Sequence, residues 1–210
     1  MKINEGRGPA YRIETERLVL RCMGPEDAPA FHRVVEANVE HLRPWLSWVR
    51  HEPQPLQERV RRLQQLRSHF DRGKDYIYGI FDPRESQVLG ATGLQTRQGP
   101  GTREVSYWID RDHCGRGLAT EVAGALVRVA FEVDRVRRVE LHCDPRNRAS
   151  AVIARRLGFE HEATLKARRY YGEGAPGDTM IWTLFEDTYR RSPARDMILR
   201  AFDGLGRQVL

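Results

Sequence analysis

The sequence predicts a mixed α/β fold in which helices flank a central, mostly antiparallel sheet that contains one parallel strand pair. Two apolar runs, residues 76–81 and 88–94, are separated by a polar turn, as in a β-hairpin. Residues 104–109 form a third apolar run. A helical pattern from residue 117 and a short strand at 139–143 follow it. Strand–helix–strand order is the usual way to join two parallel strands.

One strand and two helices precede the hairpin. Residues 15–21 alternate apolar and polar positions, which predicts a strand. Pro25 and the two acids after it favour a helix start, because proline suits the first helical position and acids suit the first turn. Pro44 ends this helix, and Pro53 and Pro55 mark a loop. A second helix is predicted from the apolar residues Leu56, Val60, Leu63, Leu66 and Phe70.

Two helices and three strands follow the hairpin and the run at 104–109. Helical spacing over residues 117–133 predicts one helix. Residues 150–157 predict another, for which Gly158 is a natural C-terminal cap. Closing strands fit residues 159–165 and 179–184, in addition to the short strand named above.

A chain of 210 residues is most simply one domain. We expect an N-terminal extension over residues 1–12, one domain over 13–191, and a C-terminal tail over 192–210. The apolar residues of the tail could pack on the domain or on a second subunit in a homodimer.

The composition excludes several classes of protein. No apolar run approaches the roughly 20 residues that span a membrane, and the polar start lacks the apolar core of a signal peptide, so we expect a cytoplasmic protein. Three scattered cysteines disfavour a disulfide framework or a metal site. The net charge is +6, but arginines interleave with acids and show no basic face with stacking aromatics, which disfavours direct nucleic-acid binding.

The stretch from Cys114 to Thr120, Cys-Gly-Arg-Gly-Leu-Ala-Thr, connects a strand to a helix start. The first turn of a helix has unpaired N–H groups and partial positive charge. Glycines let the backbone approach an anion closely. The stretch therefore predicts a phosphate-binding turn.

Several motifs together resemble the GNAT superfamily of acyl-CoA-dependent N-acyltransferases. The turn at 114–119 is similar to the family's pyrophosphate motif, with Cys114 in place of its glutamine or arginine. Residues 147–159 resemble its Asn-x-x-Ser helix that ends in Gly-Phe. Residues 15–21 and 41–48 resemble the RimJ/RimL-like branch, which includes acetyltransferases of ribosomal-protein N-termini. The resemblance covers roughly residues 13–190.

The resemblance implies that acetyl-CoA is the cosubstrate, that no metal is needed, and that the parallel strands splay apart to admit the pantetheine arm. The backbone next to the thioester would then be that of Tyr107, Trp108 and Ile109. Arg116 and Arg148 are candidates for the outer phosphates. The expected cofactor-binding set adds Cys114, Gly115, Arg116, Gly117, Leu118, Ala119, Thr120, Asn147 and Ser150. Cys114, at a helix start, could also have a lowered pKa and form a disulfide with the cofactor.

Transfer needs a neutral amine and a stabilised thiolate. The resemblance implies Glu104 as the base, directly or through a water, because many relatives carry a carboxylate at this place on the strand beside the thioester. The alternative is that strand alternation turns Glu104 to the other side of the sheet. Many relatives use a tyrosine for the thiolate, but the matching position here is Ala154. The resemblance implies Ser150 as the donor instead, because RimL-like members use a serine at this place. Some relatives also carry a carboxylate after the Gly-Phe, where this chain has Arg168 and Arg169.

The sequence leaves the acceptor open. Trp45 and Trp48 could form a wall of the acceptor site or belong to the core. The predicted activity is direct transfer of an acetyl group to a primary amine in a ternary complex, with a protein N-terminus as the acceptor. The alternatives are a small-amine acetyltransferase, acting on an antibiotic or a polyamine, and a non-catalytic acyl-CoA-binding protein.

Overall fold

The computed structural model describes residues 9–171 and 176–210. Within these ranges nine strands form one sheet, in the order β7-β8-β6-β5-β4-β3-β2-β1-β9. The strands are β1 (Arg12–Thr15), β2 (Val19–Cys22), β3 (Asp75–Phe81), β4 (Val88–Gln95), β5 (Thr102–Ile109), β6 (Arg138–Cys143), β7 (Glu160–Arg169), β8 (Gly177–Phe185) and β9 (Leu199–Phe202). All neighbours are antiparallel except β5 and β6, which confirms the predicted fold class.

Helices cover both faces of the sheet. They are α1 (Ala28–Leu42), α2 (Leu56–Asp71), α3 (Leu118–Glu132), α4 (Arg148–Arg156) and the short α5 (Glu186–Tyr189). Side chains of α3 and α4 pack with Val105, Ile109 and Leu141 in one cluster. Those of α1 pack with Trp108 in a second cluster. Val105 and Ile109 of β5 thus belong to one cluster and Trp108 to the other, because successive strand side chains point to opposite faces of the sheet.

The N-terminal prediction of one strand over residues 15–21 is wrong, because the chain reverses within it. Thr15 ends β1, and its N–H donates to the carbonyl of Leu18 at 2.9 Å. The Thr15 hydroxyl accepts from the Leu18 N–H at 3.2 Å, a side-chain turn that threonine favours. Val19 then begins β2, which returns antiparallel to β1. The alternating pattern did not indicate a turn, because Leu18 and Leu20 are two residues apart and both buried, as they would be in one continuous strand.

The residues after 192 belong to the same sheet. Strand β9 pairs antiparallel with β1 and forms its edge. Leu199, Ala201 and Val209 are buried in the main core, whereas Ile198 is exposed. In the two described ranges, no helix has the length and apolar character needed to cross a bilayer.

Candidate active site

The parallel strands β5 and β6 pair over only four residues each and then separate. Their register runs from Thr102 opposite Arg138 to Val105 opposite Leu141. Beyond this point β5 stays paired with β4 as far as Ile109, and β6 stays paired with β8 as far as Cys143. The two strands therefore open a gap in the sheet. The backbone of Tyr107, Trp108 and Ile109 borders the gap, as the resemblance implies.

The glycine turn lies between the open end of β5 and the start of α3. Gly115 and Gly117 have φ angles of 75° and 78°, in the left-handed region that favours glycine. Gly117 is the N-cap of α3, which begins at Leu118. No atom lies within 4 Å of a Cβ built at Gly115, so the outer side of the turn is open. The turn and the N–H groups of the first helical turn form a site suited to an anion.

Arg17, in the turn between β1 and β2, contacts the glycine turn and helps to hold its backbone in place. One of its guanidinium nitrogens donates to the carbonyl of Arg116 at 2.9 Å. The same side chain pairs with Glu121 of α3 at 2.6 Å. The sequence did not identify this role, because the turn that carries Arg17 was predicted as strand.

Asn38 of α1 braces the segment just before the glycine turn. Its amide donates to Asp110 Oδ1 and accepts from the Arg111 N–H, both at 2.8 Å. His113 Nδ1 contacts Asp110 Oδ2 at 2.9 Å. Burial acts to raise the pKa of Asp110, but the bonds from Asn38 and His113 outweigh it, and the pKa is lowered. A side chain of α1 therefore positions the segment that leads into the glycine turn.

The expectation of a lowered pKa at Cys114 is wrong. Its sulfur lies 3.7 Å from His41 Nε2 and 3.5 Å from the carbonyl oxygen of Asp110. Burial, with the nearby Asp110 charge, raises the pKa of the thiol. The helix begins only at Leu118, so Cys114 lies outside its first turn. The neighbouring Arg116 side chain is exposed and donates to the carbonyl of Asp112.

On the α4 side of the sheet, the start of α4 brings Ser150 beside Tyr107. The side chain of Asn147 accepts from the Ser150 N–H at 3.1 Å and so caps the helix. The Ser150 hydroxyl is close enough to affect the pKa of Tyr107. Cys143, at the end of β6, is buried in the same cluster, and burial raises its pKa to about 11.

On the opposite face, Glu104 lies in a buried polar network. Its Oε1 accepts from Arg169 at 3.0 Å, and its Oε2 accepts from Gln98 at 2.6 Å. His142 Nδ1 lies 3.8 Å from the same Oε1. Burial acts to raise the pKa of Glu104, but Arg169, His142 and Gln98 outweigh it, so the pKa is lowered. Glu104 is therefore a carboxylate at neutral pH.

His142 connects this network to Glu140. Its Nε2 contacts Glu140 Oε2 at 2.8 Å, and Arg169 reaches its Nδ1 at 3.3 Å. The His142 ring therefore joins the group of Glu104 and Arg169 to Glu140. The sequence missed His142, Glu140 and Gln98. Strand alternation could have placed Glu140 and His142 on one face, but only the parallel register places that face beside Glu104.

Trp45 and Trp48 follow α1. Trp45 is half-buried, and Trp48, in the short 3₁₀ segment Ser47–His51, is 36% exposed. A buried ion pair at 2.7 Å between Glu52 and Arg59 ties the end of this segment to α2. The acceptor role of the two tryptophans stays a prediction.

A parallel strand pair opens beside a glycine turn and a helix start, with a carboxylate on one face and hydroxyls on the other. This is the arrangement that the resemblance to acyl-CoA-dependent acyltransferases implies. A model of the acetyltransferase (GNAT) domain matches residues 17–160. The chain belongs to this family. It is an N-acetyltransferase that uses acetyl-CoA as cosubstrate.

Two similar proteins of Escherichia coli (strain K12) are named for ribosomal substrates. The ribosomal protein uS5 alanine N-acetyltransferase is 28% identical over 164 residues, which are 75% of this chain and 82% of that protein. The ribosomal-protein-serine acetyltransferase is 23% identical over 163 residues, 76% of this chain and 88% of that protein.

Solved structures show the same fold. RimL, the ribosomal L7/L12 α-N-protein acetyltransferase in complex with coenzyme A, has a TM-score of 0.75 at 24% identity, over 83% of this chain and 97% of that one. Mycobacterium smegmatis RimJ in complex with CoA-disulfide has a TM-score of 0.73 at 23% identity, over 90% of each chain. No cluster of three potential metal-ligating side chains occurs in residues 9–171 and 176–210.

Proposed function

We propose that the chain acetylates the α-amino group of a protein N-terminus, with a ribosomal protein as the acceptor. The names of the two E. coli relatives support a ribosomal acceptor. The environment of Glu104 is the observation that favours an α-amine as the acceptor. Both of its oxygens are engaged by Arg169 and Gln98, and its pKa is lowered. A weak base suits an α-amine, with a pKa near 8, better than a lysine side chain near 10.4.

The residues of the gap have complementary roles in this proposal. The turn from Cys114 to Thr120 holds the pyrophosphate, with Asn147 fixing the start of α4. The backbone of residues 107–109 orients the thioester. Bound acetyl-CoA supplies the activated acetyl group. Glu104 receives one proton of the acceptor ammonium, directly or through a water. The amine nitrogen attacks the acetyl carbon and loses its second proton to solvent as the thiolate leaves. Ser150 donates a hydrogen bond to the departing sulfur from the other face of the sheet.

The acceptor peptide would enter on the face that carries Glu104, with Trp45 and Trp48 as a wall. Trp48 has the exposure that a contact with an extended peptide needs. Direct transfer in a ternary complex requires the amine and the thioester to meet in the gap between β5 and β6.

An acceptor screen tests this proposal. Peptides that begin with alanine or serine are compared with the same peptides blocked at the N-terminus but carrying an internal lysine, and with aminoglycosides and polyamines. We expect thiol release from acetyl-CoA only with free N-termini. Equal thiol release with blocked peptides, or turnover of small amines alone, would overturn the proposal that a protein N-terminus is the acceptor. Binding of acetyl-CoA without turnover of any amine would favour the non-catalytic alternative.

We also infer that the protein acts in the cytoplasm, where ribosomal proteins and acetyl-CoA occur together, and that it forms a homodimer. The observation behind the dimer is Leu205 of the tail, a large apolar side chain that is 78% exposed in the single chain. We keep residues 13–191 as the proposed catalytic unit, with 1–12 and 192–210 outside the catalytic machinery; residues 1–8 lie outside the described ranges. Light scattering on the purified chain, compared with Leu205→Ser, tests the dimer.

A further inference from the structure

The hydroxyl group of Tyr107 is buried and makes no hydrogen bond within the described part of the chain. Native structures rarely leave a buried hydroxyl unpaired, because it loses its water without gaining a partner. A polar atom in this condition beside a binding gap indicates that a ligand or a moving side chain satisfies it.

Tyr107 lies two residues beyond Val105, the last β5 residue that pairs with β6, and so borders the gap. Its side chain packs with the α3 and α4 cluster. Burial raises the pKa of Tyr107, and the adjacent Ser150 hydroxyl lowers it by less. The net shift is upward, so the phenol stays protonated and can only act as a neutral hydroxyl at physiological pH.

Ser150 and Ala154 lie one turn apart on the same side of α4. Ala154 is fully buried and carries no polar group. The helix therefore contributes one hydroxyl here, and the second comes from the strand opposite.

We propose that Tyr107 is a positioning residue whose hydroxyl donates to the Ser150 oxygen, so that the single hydrogen of Ser150 is directed at the leaving CoA sulfur. This inference rests on the role of Ser150 proposed above. The amine nitrogen forms its bond to the acetyl carbon; as the carbon–sulfur bond breaks, the sulfur keeps the electron pair and accepts the hydrogen bond from Ser150. Tyr107 and Ser150 both keep their protons.

A binding experiment isolates the sulfur and needs no acceptor. The dissociation constants of CoA and desulfo-CoA, which lacks the thiol, are measured by calorimetry for the parent, Tyr107→Phe, Ser150→Ala and the double variant. We expect the parent to bind CoA more tightly than desulfo-CoA. In Tyr107→Phe the ratio of the two dissociation constants should fall about three- to tenfold, the size of one modest hydrogen bond. The double variant should match Ser150→Ala, since Tyr107 acts through Ser150.

Three outcomes would overturn the proposal: equal binding of the two ligands by the parent, an unchanged preference in Tyr107→Phe, or a further loss in the double variant. A failed acceptor screen would leave these measurements intact, so the two proposals fail separately.

Tyr189→Phe is the matched control. Its hydroxyl donates to Glu132 at 2.6 Å, far along the chain from the gap residues. We expect this variant to lower the melting temperature by about 2–4 °C and to keep the CoA preference. Tyr107→Phe should show the reverse pattern, an unchanged or higher melting temperature with a lost preference. With an active acceptor, its kcat should fall about tenfold at unchanged KM for the peptide. A fall in melting temperature with unchanged kcat would mean that Tyr107 is only structural.

Discussion

At the scale of single residues, two neighbouring glycines hold the cofactor turn in a backbone conformation that other residues rarely adopt. Gly115 and Gly117 both have positive φ angles near 75°. A side chain at Gly117 would also approach the Arg17 guanidinium, 3.6 Å from a built Cβ. The shape of the anion site therefore depends on the absence of side chains here.

Gly117→Val should weaken acetyl-CoA binding more than tenfold, because a β-branched residue costs at least about 1–2 kcal/mol in the left-handed region and displaces the start of α3. Calorimetry with acetyl-CoA measures the loss. Gly206→Val is the control, since Gly206 has a similar φ of 75° in the C-terminal turn. Both variants should lose stability, but only the first should lose affinity. Equal affinity in the two variants would refute the pyrophosphate role of the turn.

The carboxylate of Glu104 belongs to the same scale. Glu104→Gln should lower kcat/KM about 100-fold, the usual size of a general-base contribution. Because the pKa of Glu104 is lowered, the carboxylate is ionised throughout about pH 6 to 9 and can accept the ammonium proton across that range, so the loss of rate in Glu104→Gln should be largest at low pH, where unprotonated acceptor is scarce. Glu132→Gln, remote in α3, should keep the parent rate. A Glu104→Gln rate within twofold of the parent would remove Glu104 from the mechanism.

The pH dependence of stability gives an independent test of the Glu104 carboxylate. A carboxyl with a lowered folded-state pKa stabilises the protein above its unfolded pKa of about 4.3, and this contribution is lost as the pH falls through the folded value. The difference in melting temperature between the parent and Glu104→Gln should therefore be constant above about pH 5 and shrink below pH 4.3. A difference independent of pH would mean that Arg169 does not hold the carboxylate.

At the scale of elements, the cofactor turn is supported by segments that are distant in the chain. Arg17 reaches it from the β1–β2 turn, and Asn38 reaches its approach from α1. Such contacts preorganise a backbone site, so that ligand binding does not have to order it.

Arg17→Met should weaken acetyl-CoA binding about three- to tenfold while the fold is kept, because the turn loses its support at the Arg116 carbonyl. Arg200→Met is the control: this exposed arginine of β9 pairs with Glu14 of β1. Titration of each variant with acetyl-CoA measures its dissociation constant. Equal affinities for the two variants would show that the turn keeps its shape without Arg17.

At the scale of the whole molecule, the sheet ends in a strand from the C-terminal tail. Leu199 and Ala201 of β9 are buried, and the Ser192 hydroxyl donates to the carbonyl of Leu157 at 2.6 Å. The tail therefore shares a core with the domain whose gap holds the cofactor.

Leu199→Ala should cost about 2–3 kcal/mol of stability, which corresponds to a fall in melting temperature of about 4–12 °C for a chain of this size. Ile198→Ala is a close control, because the neighbouring side chain is 83% exposed. Its melting temperature should stay within about 1 °C of the parent. A similar fall in both variants would point to a role of Ile198 in an interface.

The order of strands and helices was largely predictable from the sequence, because periodicity records which side chains are buried. The hairpin of β3 and β4 and the helix α3 agree with the patterns that predicted them. The turn after Thr15 was missed. It depends on a hydroxyl contact with Leu18, which alternation does not record.

The sequence by itself determined the class of the site: glycines before a helix start define an anion turn, and a strand–helix–strand order brings two parallel strands beside it. The tertiary structure decided what surrounds the reaction. The register of β5 and β6 places Glu104 with His142 and Arg169 on one face, and Tyr107 with Ser150 on the other. The physical reason is that a local pattern reports burial and backbone conformation, whereas partners across a sheet depend on pairing between distant segments.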